Sequence, residues 1–152
     1  MVIPPNVTTA SNGAGQGRQW RQRLAQAGED AAMQYFMRQG ATVLARNWRA
    51  GRYAEIDLIV ELKGVTVFVE VKTRRKSPHY PQHTLSGFES INWRKQQKIV
   101  TSARIYFARQ TRLEPVWRVD VVVVQYALPA AERNKPELPD PDIIHVADAI
   151  CL

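Results

Sequence analysis

The sequence predicts one α/β domain, in which helices pack on the faces of a mixed central β-sheet. Segments with apolar residues at three- and four-residue steps, typical of amphipathic helices, lie before and after a pair of Val- and Ile-rich strand-like runs. A later run, Val116–Tyr126, is almost continuously apolar, as in a strand buried on both faces, so its partner lies across a crossover connection. A chain of 152 residues fits a single domain of this kind.

The first element is an amphipathic helix. Residues 1–16 contain prolines, glycines and small polar residues without a core-forming pattern, which predicts a flexible tail before a single domain over 17–152. Residues 17–39 predict the helix, which ends at Gly40. Glu29 lies beside its apolar stripe, where a helix carboxylate is ordinarily solvated. The stripe consists of Trp20, Leu24, Ala27, Ala31 and Tyr35.

A first strand with a basic turn follows. Residues 41–48 alternate in polarity, as a half-buried strand does. Three arginines flank the turn after it: Arg46, Arg49 and Arg52. Two interpretations stay open, a solvated basic loop or a set of phosphate contacts with Trp48 stacking on a base or sugar.

The runs Glu55–Leu62 and Val65–Thr73, joined by Lys63 and Gly64, predict a β-hairpin. A two-residue turn sets Leu62 opposite Val65, so the pairing can be counted back along both strands.

The predicted register places charged side chains opposite one another. Counting back pairs Asp57 with Glu70, and two residues further it pairs Glu55 with Lys72. Directly opposed like charges are destabilising, so the two carboxylates need a shared proton or a cation between them. Mg²⁺ suits such a pair because it takes one or two carboxylates and completes its shell with water and phosphate oxygens. Lys72 shares a face with Glu70 and adds a positive charge beside the metal-bound water, an arrangement suited to phosphodiester hydrolysis.

The remaining segments complete the sheet and its second helix. Residues 77–89 predict a loop that contacts substrate; His79 and His83 within it lack a third zinc ligand. Asn92 is a suitable N-cap for a helix that runs to Arg109. Asp120, inside the buried strand, is predicted to have a structural role as an ion-pair partner. Residues 127–142 predict a surface loop and residues 143–150 a short edge strand.

Composition indicates a polyanionic partner. The net charge is +7 and the isoelectric point about 9.9, which favours nucleic acid, with an anionic membrane surface as the competing interpretation. One cysteine, Cys151, excludes an intramolecular disulfide. No run approaches the roughly 20 apolar residues of a membrane span and no signal-peptide pattern is seen, so we expect a cytoplasmic protein without a membrane partner.

Several segments together resemble the YraN-like bacterial family of the PD-(D/E)xK, or restriction-endonuclease-like, nuclease superfamily. The resemblance runs from about residue 16 to residue 124, with a weaker echo at 144–146. Its main segments are Gly28–Ala32, Arg46–Arg49, Glu55–Ile59, Val67–Arg74, Arg94–Gln96 and Arg118–Val122. The position before Asp57 is Ile56 rather than the proline of the nominal motif, a departure that many members of the superfamily share.

The resemblance implies a restriction-endonuclease-like core and a metal-dependent endonuclease. It implies that Asp57 and Glu70 hold Mg²⁺ or Mn²⁺, with the carbonyl of Val71 and with Glu29 as further ligands, and that Lys72 orients the attacking water or stabilises the phosphate. The sequence is also similar to Holliday-junction resolvases. That similarity implies a role in DNA repair or recombination, with branched DNA as one candidate substrate and a homodimer as one candidate oligomeric state. The residues expected to bind nucleic acid are Arg46, Arg49, Arg52, Arg74, Arg75, Lys95 and Gln96.

Two alternatives stay open. One is a non-catalytic nucleic-acid-binding or accessory protein on a nuclease fold, since fold does not determine function. The other is a purely structural ladder of exposed ion pairs along the hairpin, which predicts no metal binding and a small effect of mutating Asp57 on stability, at most about 1 kcal/mol.

Overall fold

A computed structural model describes residues 12–76, 92–110, 115–128 and 137–150, with side chains from residue 15 onward. Within these residues a five-stranded mixed sheet has one helix on each face, which confirms the predicted α/β class. The strand order is β1-β2-β3-β4-β5; β3 and β4 are parallel and the other neighbours antiparallel. The elements are α1 (Asn12–Arg38), β1 (Thr42–Arg49), β2 (Glu55–Leu62), β3 (Val65–Arg75), α2 (Trp93–Arg109), β4 (Trp117–Tyr126) and β5 (Asp142–Val146).

Alternation along the strands divides the core into two layers. Val67 and Val69 of β3 pack into the layer that contains α1, whereas Phe68 packs into the layer that contains α2. Phe68 is fully buried and meets Tyr106 and Phe107 of α2 edge to face, with ring centroids 5.6 Å apart in each pair. The sheet is therefore covered on both sides, as the apolar run in β4 predicted.

The β2–β3 turn matches its prediction. Lys63 and Gly64 both have positive φ, 51° and 79°, the conformation of the two-residue type I′ turn that suits the twist of a hairpin. Leu62 pairs with Val65, and the register continues without a shift to Leu58 and Val69. The turn thus determines which residues meet at the far end of the hairpin.

β1 is an irregular edge strand. A register shift between Val43 and Ala45 leaves Leu44 as an extra residue against β2, and Asn47 has a positive φ of 45°. The simple alternation predicted for residues 41–48 is therefore interrupted twice.

Some element boundaries differ from the predictions. α1 begins at Asn12, five residues before the predicted start and inside the predicted tail. Its first residues are glycine-rich and so predicted coil, but extending a helix that is already nucleated adds a hydrogen bond per residue. β5 ends at Val146 rather than at residue 150, because a turn that includes Asp148 at positive φ follows it. The predicted 77–89 loop, with His79 and His83, lies outside the described residues. Among the described helices, none has the length and apolar character that crossing a bilayer requires.

α1 approaches the sheet closely at Gly28. A Cβ built on Gly28 would lie 1.8 Å from Oγ1 and 2.8 Å from Cβ of Thr73 on β3, so only glycine fits without movement. Gly17, on the same helix, has nothing within 4 Å of the equivalent point. The close approach seats the helix where the next residue, Glu29, reaches the sheet.

Asp120 fastens β5 and the segment after it to β4. Its carboxylate is fully buried and accepts from Arg118 Nε at 2.8 Å and Nη2 at 3.0 Å, and from the Asp148 N–H at 2.9 Å. His145 Nε2 lies 2.8 Å from Asp120 Oδ2, the oxygen that also accepts from Arg118 Nη2, and His145 Nδ1 lies 3.2 Å from the Tyr35 hydroxyl of α1. Burial alone raises the pKa of Asp120, but these hydrogen bonds and the arginine charge outweigh it and lower the pKa. The predicted structural role agrees with these contacts.

The Gly28 contact predicts opposite effects of one substitution at two positions. We expect G28A to lower the free energy of unfolding by about 1–3 kcal/mol, because the helix or Thr73 must move. G17A should raise the free energy of unfolding by up to about 1 kcal/mol, because alanine favours an exposed helix. Urea denaturation of both variants measures the difference. Equal effects of the two substitutions would show that the close approach does not constrain α1.

The Asp120 cluster predicts a large stability loss without a direct effect on chemistry. D120N should lower the free energy of unfolding by about 2–4 kcal/mol, because it removes the charge that Arg118 faces inside the protein. The loss is measured by urea denaturation at neutral pH and should shrink as the pH falls through the lowered pKa, where the wild-type carboxyl also becomes neutral. D142N, which removes an exposed carboxylate 2.7 Å from Lys76, is the control and should change stability by less than about 1 kcal/mol.

Candidate active site

The candidate site lies at the end of the hairpin, where β2 and β3 part. Backbone pairing between them ends at Leu58 and Val69, and the next register position holds Asp57 and Glu70. At this position a side chain replaces a backbone carbonyl as the hydrogen-bond acceptor: Asp57 Oδ2 accepts from the Val71 N–H at 2.8 Å. Two carboxylates thus lie on neighbouring strands at the position that the two-residue turn predicts.

Glu70 is the more buried of the two carboxylates and carries two ammonium groups. It is 5% exposed, and its Oε1 accepts from Lys72 Nζ at 2.7 Å and also from Lys95 Nζ. Lys72 comes from the same strand, whereas Lys95 comes from the first turn of α2. That turn is held by Asn92, whose side chain accepts the Lys95 N–H at 3.0 Å, as the predicted N-cap requires.

The predicted pairing of Glu55 with Lys72 is not formed. Glu55 instead lies 2.7 Å from Arg49 Nη2 on β1, and Lys72 turns to Glu70. The reason is that the two hairpin strands no longer pair beyond Leu58 and Val69, so the register does not extend to this position.

Glu29 approaches from α1 on the other face of the sheet. Its Oε2 accepts from Asn47 Nδ2 at 3.0 Å, and its charge raises the pKa of Asp57. Within the described part of the chain, no three His, Cys, Asp or Glu side chains are arranged as a metal-binding group, so Glu29 as a metal ligand stays a prediction. Asn47 was not predicted to take part. Two features of the sequence could have pointed to Asn47: it lies in a basic segment, and asparagine is among the few residues that tolerate the positive φ found here.

Asp57 has the most strongly altered acidity in the site. Its pKa is raised to about 7, first by burial and then by the negative charge of Glu70, with a smaller contribution from Glu29; the Val71 N–H and the charge of Lys95 lower it only in part. In the folded protein without a bound cation, Asp57 is therefore partly protonated near neutral pH. An oxygen ligand with this surplus of negative charge around it is suited to a divalent cation.

Lys72 keeps its charge. Partial burial lowers its pKa, but the hydrogen bond and charge of Glu70 outweigh burial, so the pKa is raised above the usual lysine value. Lys72 is thus an ammonium group at neutral pH. It serves as a fixed positive charge and a hydrogen-bond donor rather than as a base.

Several predicted nucleic-acid contacts are engaged within the protein. Arg46 lies 2.5 Å from Asp30 of α1, Arg49 pairs with Glu55, and Arg75 donates to the Leu128 carbonyl at 2.6 Å. The other predicted contacts differ in exposure: Arg52 is exposed, and Arg74, Lys95 and Gln96 are half-buried.

Trp48 is partly buried and makes aromatic contacts within the protein, while its stacking on a base or sugar stays a prediction. Its ring packs edge to face on Tyr106 with centroids 5.3 Å apart, and the Arg109 guanidinium lies 5.6 Å from its centroid. Trp48 thus links β1 to α2 at the edge of the core cluster that contains Tyr106.

Comparison with known proteins places the site in a wider set of sequences. The model of the uncharacterised protein family UPF0102 matches residues 28–124, which include Glu29, Asp57, Glu70, Lys72 and Lys95. A UPF0102 protein of Chloroflexus aurantiacus is 41% identical over 105 residues, 68% of this chain and 80% of that protein. A UPF0102 protein of Neisseria gonorrhoeae is 42% identical over 100 residues, 65% of this chain and 81% of its own length. One from Symbiobacterium thermophilum is 41% identical over 103 residues, with 68% and 82% covered.

The acidity of Asp57 predicts a stability difference that depends on pH. The pKa of Asp57 is about 7 in the folded state and 3.8 in the unfolded state. Between about pH 4 and pH 7 the folded state therefore binds the Asp57 proton more tightly than the unfolded state does. Wild type should therefore lose stability relative to D57N as the pH rises from about 4 to about 7, by up to about 4 kcal/mol. Urea denaturation of both proteins in chelator across this range measures the effect. A difference that stays constant with pH would mean that Asp57 titrates normally.

Proposed function

The chain belongs to the uncharacterised protein family UPF0102, and we propose that it is a metal-dependent endonuclease that hydrolyses phosphodiester bonds of nucleic acid, with DNA as the expected substrate. The observation that carries the proposal is the pair of carboxylates on neighbouring strands, Asp57 and Glu70, with Lys72 in contact with Glu70. The resemblance to PD-(D/E)xK nucleases supports it, because Asp57 and the Glu70-Val71-Lys72 triplet match that signature.

We further propose that the domain is a restriction-endonuclease-like core. The order of elements supports this assignment: a helix, three antiparallel strands, and a second helix that crosses to a parallel fourth strand. The net charge of +7 supports a polyanionic substrate.

The donor atoms present suit a hard divalent cation. Asp57, Glu70 and the carbonyl of Val71 would hold Mg²⁺ or Mn²⁺, with Glu29 as a further candidate ligand, and all four supply oxygen. The raised pKa of Asp57 fits this role, since a cation beside it would offset the repulsion from Glu70 and Glu29. When bound, the cation would polarise the phosphate and acidify the attacking water.

The lysines supply the remaining chemistry. Lys72 is a permanent ammonium group beside Glu70, placed to donate a hydrogen bond to the attacking water or to the developing negative charge on the phosphate. Lys95 brings a second positive charge to the same carboxylate from α2, and we assign it a contact with the non-bridging phosphate oxygens. Both ammonium groups are held in place by the fold before substrate arrives.

One observation favours the non-catalytic alternative. Glu70 is compensated by two ammonium groups, so its charge does not by itself require a metal ion. A protein that binds nucleic acid through this basic region without cutting it would have the same contacts. Metal binding and cleavage must therefore be measured separately.

The proposal predicts two residues that cleavage requires but that folding and DNA binding do not. D57N and K72M should each lower the cleavage rate of a branched or linear DNA by at least about 100-fold, because the metal ligand or the charge at the phosphate is lost. E61Q, which changes an exposed carboxylate on the same hairpin, should cleave as wild type does. Mn²⁺- and Mg²⁺-dependent cleavage assays with all four proteins purified in parallel provide the measurement.

Calorimetric titration with Mg²⁺ separates the alternatives. Binding to wild type and E61Q but not to D57N, together with cleavage, supports the nuclease. DNA binding without metal binding would support the accessory protein instead. Cleavage that persists in D57N or K72M would contradict the site assignment.

A further inference from the structure

Trp93 is exposed to an extent that is unusual for tryptophan. It is 68% exposed at the first position of α2, whereas the other described tryptophans, Trp20, Trp48 and Trp117, pack against the core clusters. Tryptophan is highly buried on average, because its ring removes a large apolar area from water. Its position at the surface makes the ring available to a partner.

The ring is attached to a well-defined helix end. The Asn92 cap holds the first turn through the Lys95 N–H at 3.0 Å, so the Trp93 backbone is held in the helix. Cα–Cβ bonds in a helix tilt towards its N-terminus, which directs the indole past the start of α2. An aromatic ring held in this way loses little conformational freedom when it binds a flat ligand.

The neighbours of Trp93 are positively charged and adjoin the candidate site. Arg94 is exposed beside it, and the first turn of the helix contains no acidic residue. Lys95, about 3 Å further along the helix axis, contacts Glu70. Residues two apart project on different sides of a helix, so Trp93 and Lys95 share the first turn of α2 but face different directions. The aromatic ring is therefore placed to meet nucleotides near the candidate site rather than the scissile phosphate itself.

We propose that Trp93 stacks on an unpaired nucleobase, so that the preferred substrate carries single-stranded or unpaired nucleotides near the cleaved phosphate. This inference rests on the proposed function in that the ligand is nucleic acid. Bases inside a duplex have both faces covered by their neighbours, whereas unpaired bases offer a face to an aromatic side chain. Stacking of this kind tolerates any base, so Trp93 would select the strand state rather than the sequence.

Binding without cleavage tests the inference. The probes are a labelled oligothymidylate of about 15 nucleotides and a duplex of equal length, with the full chain in chelator. W93A should weaken binding of the single strand roughly 5- to 150-fold, which corresponds to about 1–3 kcal/mol for one stacked base, and leave binding of the duplex unchanged. W93F should keep most of the affinity, and quenching of tryptophan fluorescence by the oligonucleotide should be reduced in W93F.

Two matched variants define the controls. R94A should weaken both probes alike, because a phosphate contact does not distinguish strand states. V116A, which truncates a side chain that is 72% exposed at the start of β4, should change neither. Melting temperatures confirm that each variant is folded.

The inference is overturned if W93A binds the single strand as wild type does, if it weakens both probes equally, or if wild type does not bind the single strand. None of these results affects the nuclease proposal, which depends on cleavage by wild type and its loss in D57N and K72M. Conversely, loss of single-strand affinity in W93A without any cleavage by wild type would keep the stacking site and reject the nuclease.

Discussion

The candidate site depends on the hydrogen bond from the Val71 N–H to the Asp57 carboxylate. This bond lies where the β2–β3 ladder ends, and it holds a carboxylate between two strands that have begun to separate. The opening admits side chains from both faces of the sheet: Glu29 acts from α1 and Lys95 from α2. A hairpin paired along its whole length would close the space in which these four elements meet.

Two aspartates in neighbouring parts of the sheet show how environment separates a structural carboxylate from a chemical one. Asp120 is more buried, yet its pKa is lowered, since Arg118, His145 and the Asp148 N–H all bond to it. Asp57 is largely removed from water, has two carboxylate neighbours and accepts one backbone hydrogen bond, so burial first and the neighbouring charges second raise its pKa to about 7. The first arrangement is internally satisfied and stabilises the fold. The second retains an excess of negative charge that an external cation would relieve, and this contrast supports assigning chemistry to Asp57.

Much of the architecture was predictable from local patterns. Val and Ile runs with period two gave the strands, and the Lys63-Gly64 turn gave the register that brings Asp57 and Glu70 together. Contacts across long stretches of sequence were not predictable in this way. The packing of Trp48 on Tyr106 and the contact of Lys95 with Glu70 both depend on how α2 packs on the sheet. The exposure of Trp93 and the partial burial of Trp48 are tertiary properties of the same kind.

The irregularity of β1 also bears on how copies of the chain meet. A straight outer strand offers a row of unpaired backbone groups to a second molecule, which invites continuous sheets and aggregation. The extra residue at Leu44 and the left-handed Asn47 break that row, and charged Arg46 and Arg49 lie along the same strand. Extension of the sheet from one molecule to the next through this strand is therefore disfavoured. A symmetric pair of subunits that avoids β1 would associate through the opposite edge, β5, or through side chains on a face of the domain, and either arrangement would leave the β1 edge free.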